Sequence, residues 1–144
     1  MKLLNFILLI FTSFLFSCTG SNYADDPLMQ KAFAIHQEAS KIEKEIAPKF
    51  DDLIQLKNST NIVGRALTDA EIDRIKKIEQ IEQSLKFWRK ELPNVPGFAH
   101  EHRAHDGPCN HGPKLKLLPE DWVKVQQEFK DSILMIKKQI ETVR

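Results

Sequence analysis

The stretch PEDWVKVQQEFKDSILMIKKQIETV, residues 119–143, decides the fold. Within it Trp122, Val125, Phe129, Ile133, Ile136, Ile140 and Val143 recur at steps of three and four. Such spacing, close to 3.5 residues, draws one apolar seam along a helix and is the pattern of helical bundles and coiled coils. The helix begins at Pro119-Glu120-Asp121.

Working upstream, two further segments carry the same period. Thr68-Asp69-Ala70-Glu71 reads as a capping box. In such a box the threonine hydroxyl takes the Glu71 N–H and the Glu71 carboxylate reaches back. A helix follows with Ile72, Ile75, Ile78, Ile81, Leu85, Trp88 and Leu92 on one side, and Pro93 and Pro96 end it. Before it, Asp26-Pro27 is a cap residue and a first-turn proline, after which Leu28, Ala32, Ile35, Ala39, Ile42, Ile46 and Leu53 form a stripe. Pro48 lies in that stripe, so a kink near Ala47 or two successive helices are expected. This first segment should end near Lys57-Asn58, where turn residues take over. Helices of about 24 residues would each be roughly 36 Å long and could pack side by side. The fold class is therefore all-α, an up-down-up three-helix bundle with neighbouring helices antiparallel, and nothing between the helices reads as a strand. The isoleucine, tryptophan and phenylalanine stripes are read as core, and His36, beside Ile35, as a hydrogen-bonded or surface histidine rather than a ligand.

The amino end sets the compartment. Met1-Lys2 and the apolar run from Leu3 to Phe16 have the length and polarity of a signal peptide, residues 1–17, too short for a comfortable membrane span. Leu15-Phe16-Ser17-Cys18 resembles the lipobox of bacterial lipoproteins, and this resemblance implies diacylglycerol and acyl lipid, palmitate among the acyl groups, on Cys18. Several acyl chains anchor stably where one binds only marginally. Residues 18–25 then form a small polar tether, and 26–144 the helical domain. No aspartate follows Cys18 directly, which favours the outer membrane, facing either the periplasm or the exterior.

Removing the leader takes Lys2 with it and leaves 20 basic and 20 acidic residues, so nucleic acid is not an expected partner. With Cys18 acylated, Cys109 is the only remaining thiol and is free, metal-bound or paired with another chain.

Between the second and third helices, residues 93–118 form a connection far longer than the roughly two to eight residues usual in bundles. It holds four of the five histidines of the chain: His100, His102, His105 and His111, with Cys109, make an H-x-H-x2-H-x3-C-x-H run. Imidazole and thiolate are donors for zinc, copper or nickel rather than calcium or magnesium. Glu101 and Asp106 could hold the outward ring nitrogens or ligate directly. The spacing fits no zinc finger, and a solvated linker is the alternative. No Gly-rich phosphate loop, H-E-x-x-H or C-x-x-C is present, so no enzymatic activity is expected.

The order of lipobox, Ile35-His36-Gln37-Glu38, a helix, P-N-V-P-G-F from Pro93 to Phe98, a histidine-rich loop and a last helix opening L-P-E-D resembles small Bacteroidetes envelope lipoproteins often labelled "viral A-type inclusion protein". That label reflects coiled-coil similarity and implies no activity. Arg103, Ala104 and Pro108 thin the histidine tract here. Two functions follow as expectations. One is a lipid-anchored module whose loop binds a transition metal for buffering, storage or sensing. The other is an interaction lipoprotein whose helical faces hold a second copy or another envelope protein.

Overall fold

The computed structural model describes residues 23–61, 65–99 and 116–143, and among these it contains three α-helices, one short 3-10 turn and no strand. The 3-10 turn Tyr23–Asp25 leads into α1, Pro27–Asn61; α2 is Asp69–Glu91 and α3 is Pro119–Val143.

Two of the three helices start on a side-chain cap. Asp26 caps α1: its Oδ1 accepts from the Leu28 N–H at 2.8 Å and from the Met29 N–H at 3.3 Å. Two of the amides that a helix start leaves without intrahelical partners are thereby satisfied. The Thr68 capping box is formed in both directions, Glu71 N–H to Thr68 Oγ1 at 3.3 Å and Thr68 N–H to Glu71 Oε2 at 2.9 Å. Arg65 adds a grip on the same carboxylate, with Nη2 2.5 Å from Oε1. These contacts hold Glu71 well below the usual carboxylate range, at about 2, the Arg65 hydrogen bond being the largest cause and those from Thr68 next.

The first helix departs from expectation in two ways. It is one helix of 35 residues, continuous through Pro48, and it runs on to Asn61. Proline removes the amide that would bond the Lys44 carbonyl, but Pro48 sits on the exposed side of the helix, and Ile46, Phe50 and Leu53 around it are buried. Packing of that apolar side outweighs one missing bond. The lengths are therefore not matched, since α2 has 23 residues and α3 has 25.

Cross-helix bonds fix the directions. Glu38 pairs with Lys130, Glu45 with Lys137 at 2.8 Å, and Lys49 with Glu141 at 3.8 Å. Residue numbers rise together in α1 and α3, so the two run parallel. Arg89 meets Glu43 at 2.6 Å while Lys57 meets Glu82 at 2.7 Å, so α2 runs opposite to α1. Helices α1 and α3 share the largest interface, with α2 packed against both. This is the up-down-up bundle.

The main core joins Ala39, Ile46, Phe50 and Leu53 of α1 to Ile78, Ile81, Leu85 and Trp88 of α2 and Ile133, Ile136, Ile140 and Val143 of α3. Trp88 is 1% exposed and donates its indole N–H to the Phe129 carbonyl at 2.8 Å, which answers the polar end of an otherwise apolar burial. The α3 seam differs from the expected one at a single point: Gln126, not Val125, is the fully buried residue between Trp122 and Phe129.

Two outcomes test this account. Gln126→Ala should lower the free energy of unfolding by about 1–3 kcal/mol, the cost of orphaning buried partners, as read by urea denaturation. For Glu71, the folded pKa lies below the unfolded one. Its contribution is therefore present above about pH 4.5 and is lost as pH falls toward about 2. The melting-temperature gap between wild type and Glu71→Gln should be constant from pH 7 to 5 and close between pH 4.5 and 2.

Candidate functional site

The five candidate ligands His100, His102, His105, Cys109 and His111, the acids Glu101 and Asp106, and the candidate lipidation site Cys18 all lie outside the described residues. Among the described residues no group of three or more histidine, cysteine, aspartate or glutamate side chains is placed to hold a metal ion. The platform from which the histidine-rich segment leaves and to which it returns is described in full.

Both roots of that segment are packed at one end of the bundle. A second apolar cluster unites Met29 and Ala32 of α1, Val95, and Trp122 of α3, with Phe33, Phe98, Leu117 and Val123 partly buried against it. The residues P-N-V-P-G-F, expected to belong to one long loop, thus fold back as a hydrophobic cap. Val95 is 3% exposed, and Phe98 stacks on Phe33 with ring centroids 4.3 Å apart. The Phe98 N–H reaches the Val95 carbonyl at 3.4 Å, closing a turn with proline second and glycine third. Gly97 has φ of 86°, the left-handed conformation such a turn requires and glycine provides without steric cost. Its missing Cβ also matters, because one placed there would lie 3.1 Å from both Ala24 N and Tyr23 Cβ. The 3-10 turn Tyr23–Asp25, the end of the segment read as a tether, is thereby seated on the loop root. Gln30 strengthens this seat by donating from Nε2 to the Ala24 carbonyl at 3.1 Å.

A polar chain runs under the cap. The Gln126 side chain donates from Nε2 to the Pro93 carbonyl at 2.8 Å, and its Oε1 lies 3.1 Å from His36 Nδ1. A carbonyl can only accept, so the amide must turn its NH2 to Pro93 and its oxygen to His36. The proton of that His36 contact is therefore on Nδ1. Phe33 stacks beside the His36 ring at 6.3 Å between centroids. His36 is half-buried and hydrogen-bonded, in agreement with the bland reading of its place in the sequence. The buried glutamine, by contrast, escaped the periodicity argument; its position, three residues before Phe129 and seven before Ile133, was the available signal.

Among the described residues, two surface clefts can be named. One of about 200 Å³ lies between Leu56, Thr60, Glu71, Arg74, Ile75 and Ile78 at the opposite end. The other, an open groove of about 400 Å³, runs along Lys31, Ile35, Val123, Lys124, Gln127 and Glu128. Among the described residues no helix is long and apolar enough to cross a membrane. Compared with models of protein families, with curated proteins and with solved structures, the chain matches none.

Gly97→Ala should destabilise the protein by about 1 kcal/mol or more, because it combines an unfavourable φ with a close approach. The loss should appear in amide exchange of residues 23–30 and 93–98 before it appears in the centre of α2.

Proposed function

We propose that the chain is a bacterial envelope lipoprotein, acylated on Cys18 and placed in the outer membrane, whose loop of His100, His102, His105, Cys109 and His111 binds zinc, copper or nickel for buffering, storage or sensing. The observation that carries this reading is compositional and local: four imidazoles and the one thiol left after acylation fall within twelve residues of a single connection. That connection is bracketed by packed roots, with Phe98 on Phe33 at one end and Leu117 on the Trp122 cluster at the other. Ligands whose chain ends are held in place give up less freedom on closing around an ion than ligands on an unanchored strand. Glu101 and Asp106 would orient the imidazoles through their outward nitrogens.

The competing reading is an interaction lipoprotein whose helical faces hold a second copy or another envelope protein. Ile133, Ile136, Ile140 and Val143 of the α3 seam are buried against α1 and α2 of the same chain, while Phe87 and Met135 stay exposed on the helical faces.

Calorimetric titration of the detergent-solubilised protein with Zn²⁺ and Cu²⁺ at pH 7.5 tests the metal reading. Binding is expected for the wild type and lost when the four loop histidines are changed to alanine. The affinity should weaken as pH drops below about 6, where imidazole protonation competes with the metal. Equal and negligible heats from both proteins would end it.

A further inference from the structure

We propose that the end of the bundle where α1 and α3 begin, with Tyr23 and Leu118 at its rim, rests against the surface of the phospholipid bilayer. The far end, where α2 begins, points away from it. This inference rests on the acylation of Cys18 proposed above.

Cys18 and Tyr23 are five residues apart. Even a fully extended chain of that length spans at most roughly 17 Å, so an acylated Cys18 at the lipid surface keeps Tyr23 within that distance. Tyr23 is not the loose end of a tether. Its backbone carbonyl accepts from the Asp26 N–H at 3.3 Å, and its Cβ lies 3.1 Å from where a Cβ at Gly97 would stand, a tight approach. The described fold therefore begins, rigidly, within a short leash of the lipid.

The parallel pairing of α1 and α3 extends this constraint across the whole end. Leu118 precedes α3 as Asp26 precedes α1, and its carbonyl accepts from the Trp122 N–H at 3.1 Å. Leu118 is 66% exposed and Tyr23 49% exposed, so both side chains at this end are open to contact, as Phe87 and Met135 are along the sides of the bundle. An aromatic ring with a hydroxyl and an aliphatic side chain at the same level suit the boundary between headgroups and acyl chains. The flanking acids Asp25, Asp26, Glu120 and Asp121 outnumber Lys116, so the covalent lipid rather than attraction to an anionic leaflet brings the end down. Ala99 and Lys116, the two roots of the histidine-rich segment, belong to this same end, whereas Ala70 lies at the other, about 37 Å away along the 25 residues of α3.

The test uses the full acylated chain in phosphatidylethanolamine–phosphatidylglycerol vesicles. Cys109→Ser is introduced so that a single fluorescent label can be placed at Leu118→Cys or at Ala70→Cys, both exposed positions. A nitroxide on the lipid headgroup is the quencher. Quenching of the label at 118 with loss of quenching at 70 is the expected result. Equal quenching at both positions, or stronger quenching at 70, overturns the inference and leaves the anchor standing. Flotation and the mass of the amino-terminal peptide separate the two readings. A chain that neither floats with vesicles nor carries acyl mass on Cys18 refutes the anchor, and this inference falls with it.

Discussion

The register between α1 and α3 is the constraint on which the rest of the molecule depends, and the amide of Gln126 is its most specific determinant. Gln126 is wholly buried at one point of an apolar seam, where a misplaced amide would cost more than any neighbouring methyl group contributes. Sliding α3 by one turn would leave both His36 and the Pro93 carbonyl without the partner they now share. Isoleucines further along the seam tolerate such a slip far better, because one apolar contact substitutes for another. A single polar residue in a coiled-coil seam commonly sets alignment at some expense in stability, and the same logic operates within this one chain.

The ion pairs along the α1–α3 boundary agree with that register without enforcing it. Glu38 with Lys130 and Glu45 with Lys137 are both separated by 92 residues, and Lys49 with Glu141 repeats the interval. Their acidic partners are at least half exposed, so each pair contributes little and is screened by salt. Glu43 with Arg89 is different, because Glu43 is largely buried and faces a guanidinium that holds one of its oxygens through two nitrogens, at 2.8 and 2.6 Å. It ties α2 to α1 where the two helices share few other close approaches.

Much of the fold was legible because its signals are local. The Asp26-Pro27 start, the Thr68–Glu71 box and the isoleucine stripes each rest on a few residues of known spacing, and the bundle direction follows from their number. What could not be read depends on partners distant in sequence. Pro48 looks like an interruption until Ile46, Phe50 and Leu53 are seen to be buried around it. The cap at Val95 and Phe98 looks like loop because its packing partners Phe33 and Trp122 lie far away in the chain. Of the candidate site, only the compositional case for metal binding is legible, together with the platform that carries the segment. Convergence of imidazoles is a property of three-dimensional placement, and Cys109 and the four histidines lie outside the described residues.

The unequal helix lengths have a mechanical corollary. With α1 and α3 aligned at an interval of 92, the last residue of α3, Val143, falls beside residue 51, so about ten residues of α1 run on beyond it. Among the described residues that overhang is flanked by α2 alone, whose Glu71, Arg74 and Ile75 line a cleft with Leu56 and Thr60 and whose mid-helix Glu82 pairs with Lys57, and Leu56 is already 37% exposed. Two helices exclude water less completely than three. Spontaneous opening should therefore start at that tip and travel toward the Trp122 cluster, so the molecule frays from the top of its mast while its footing stays assembled.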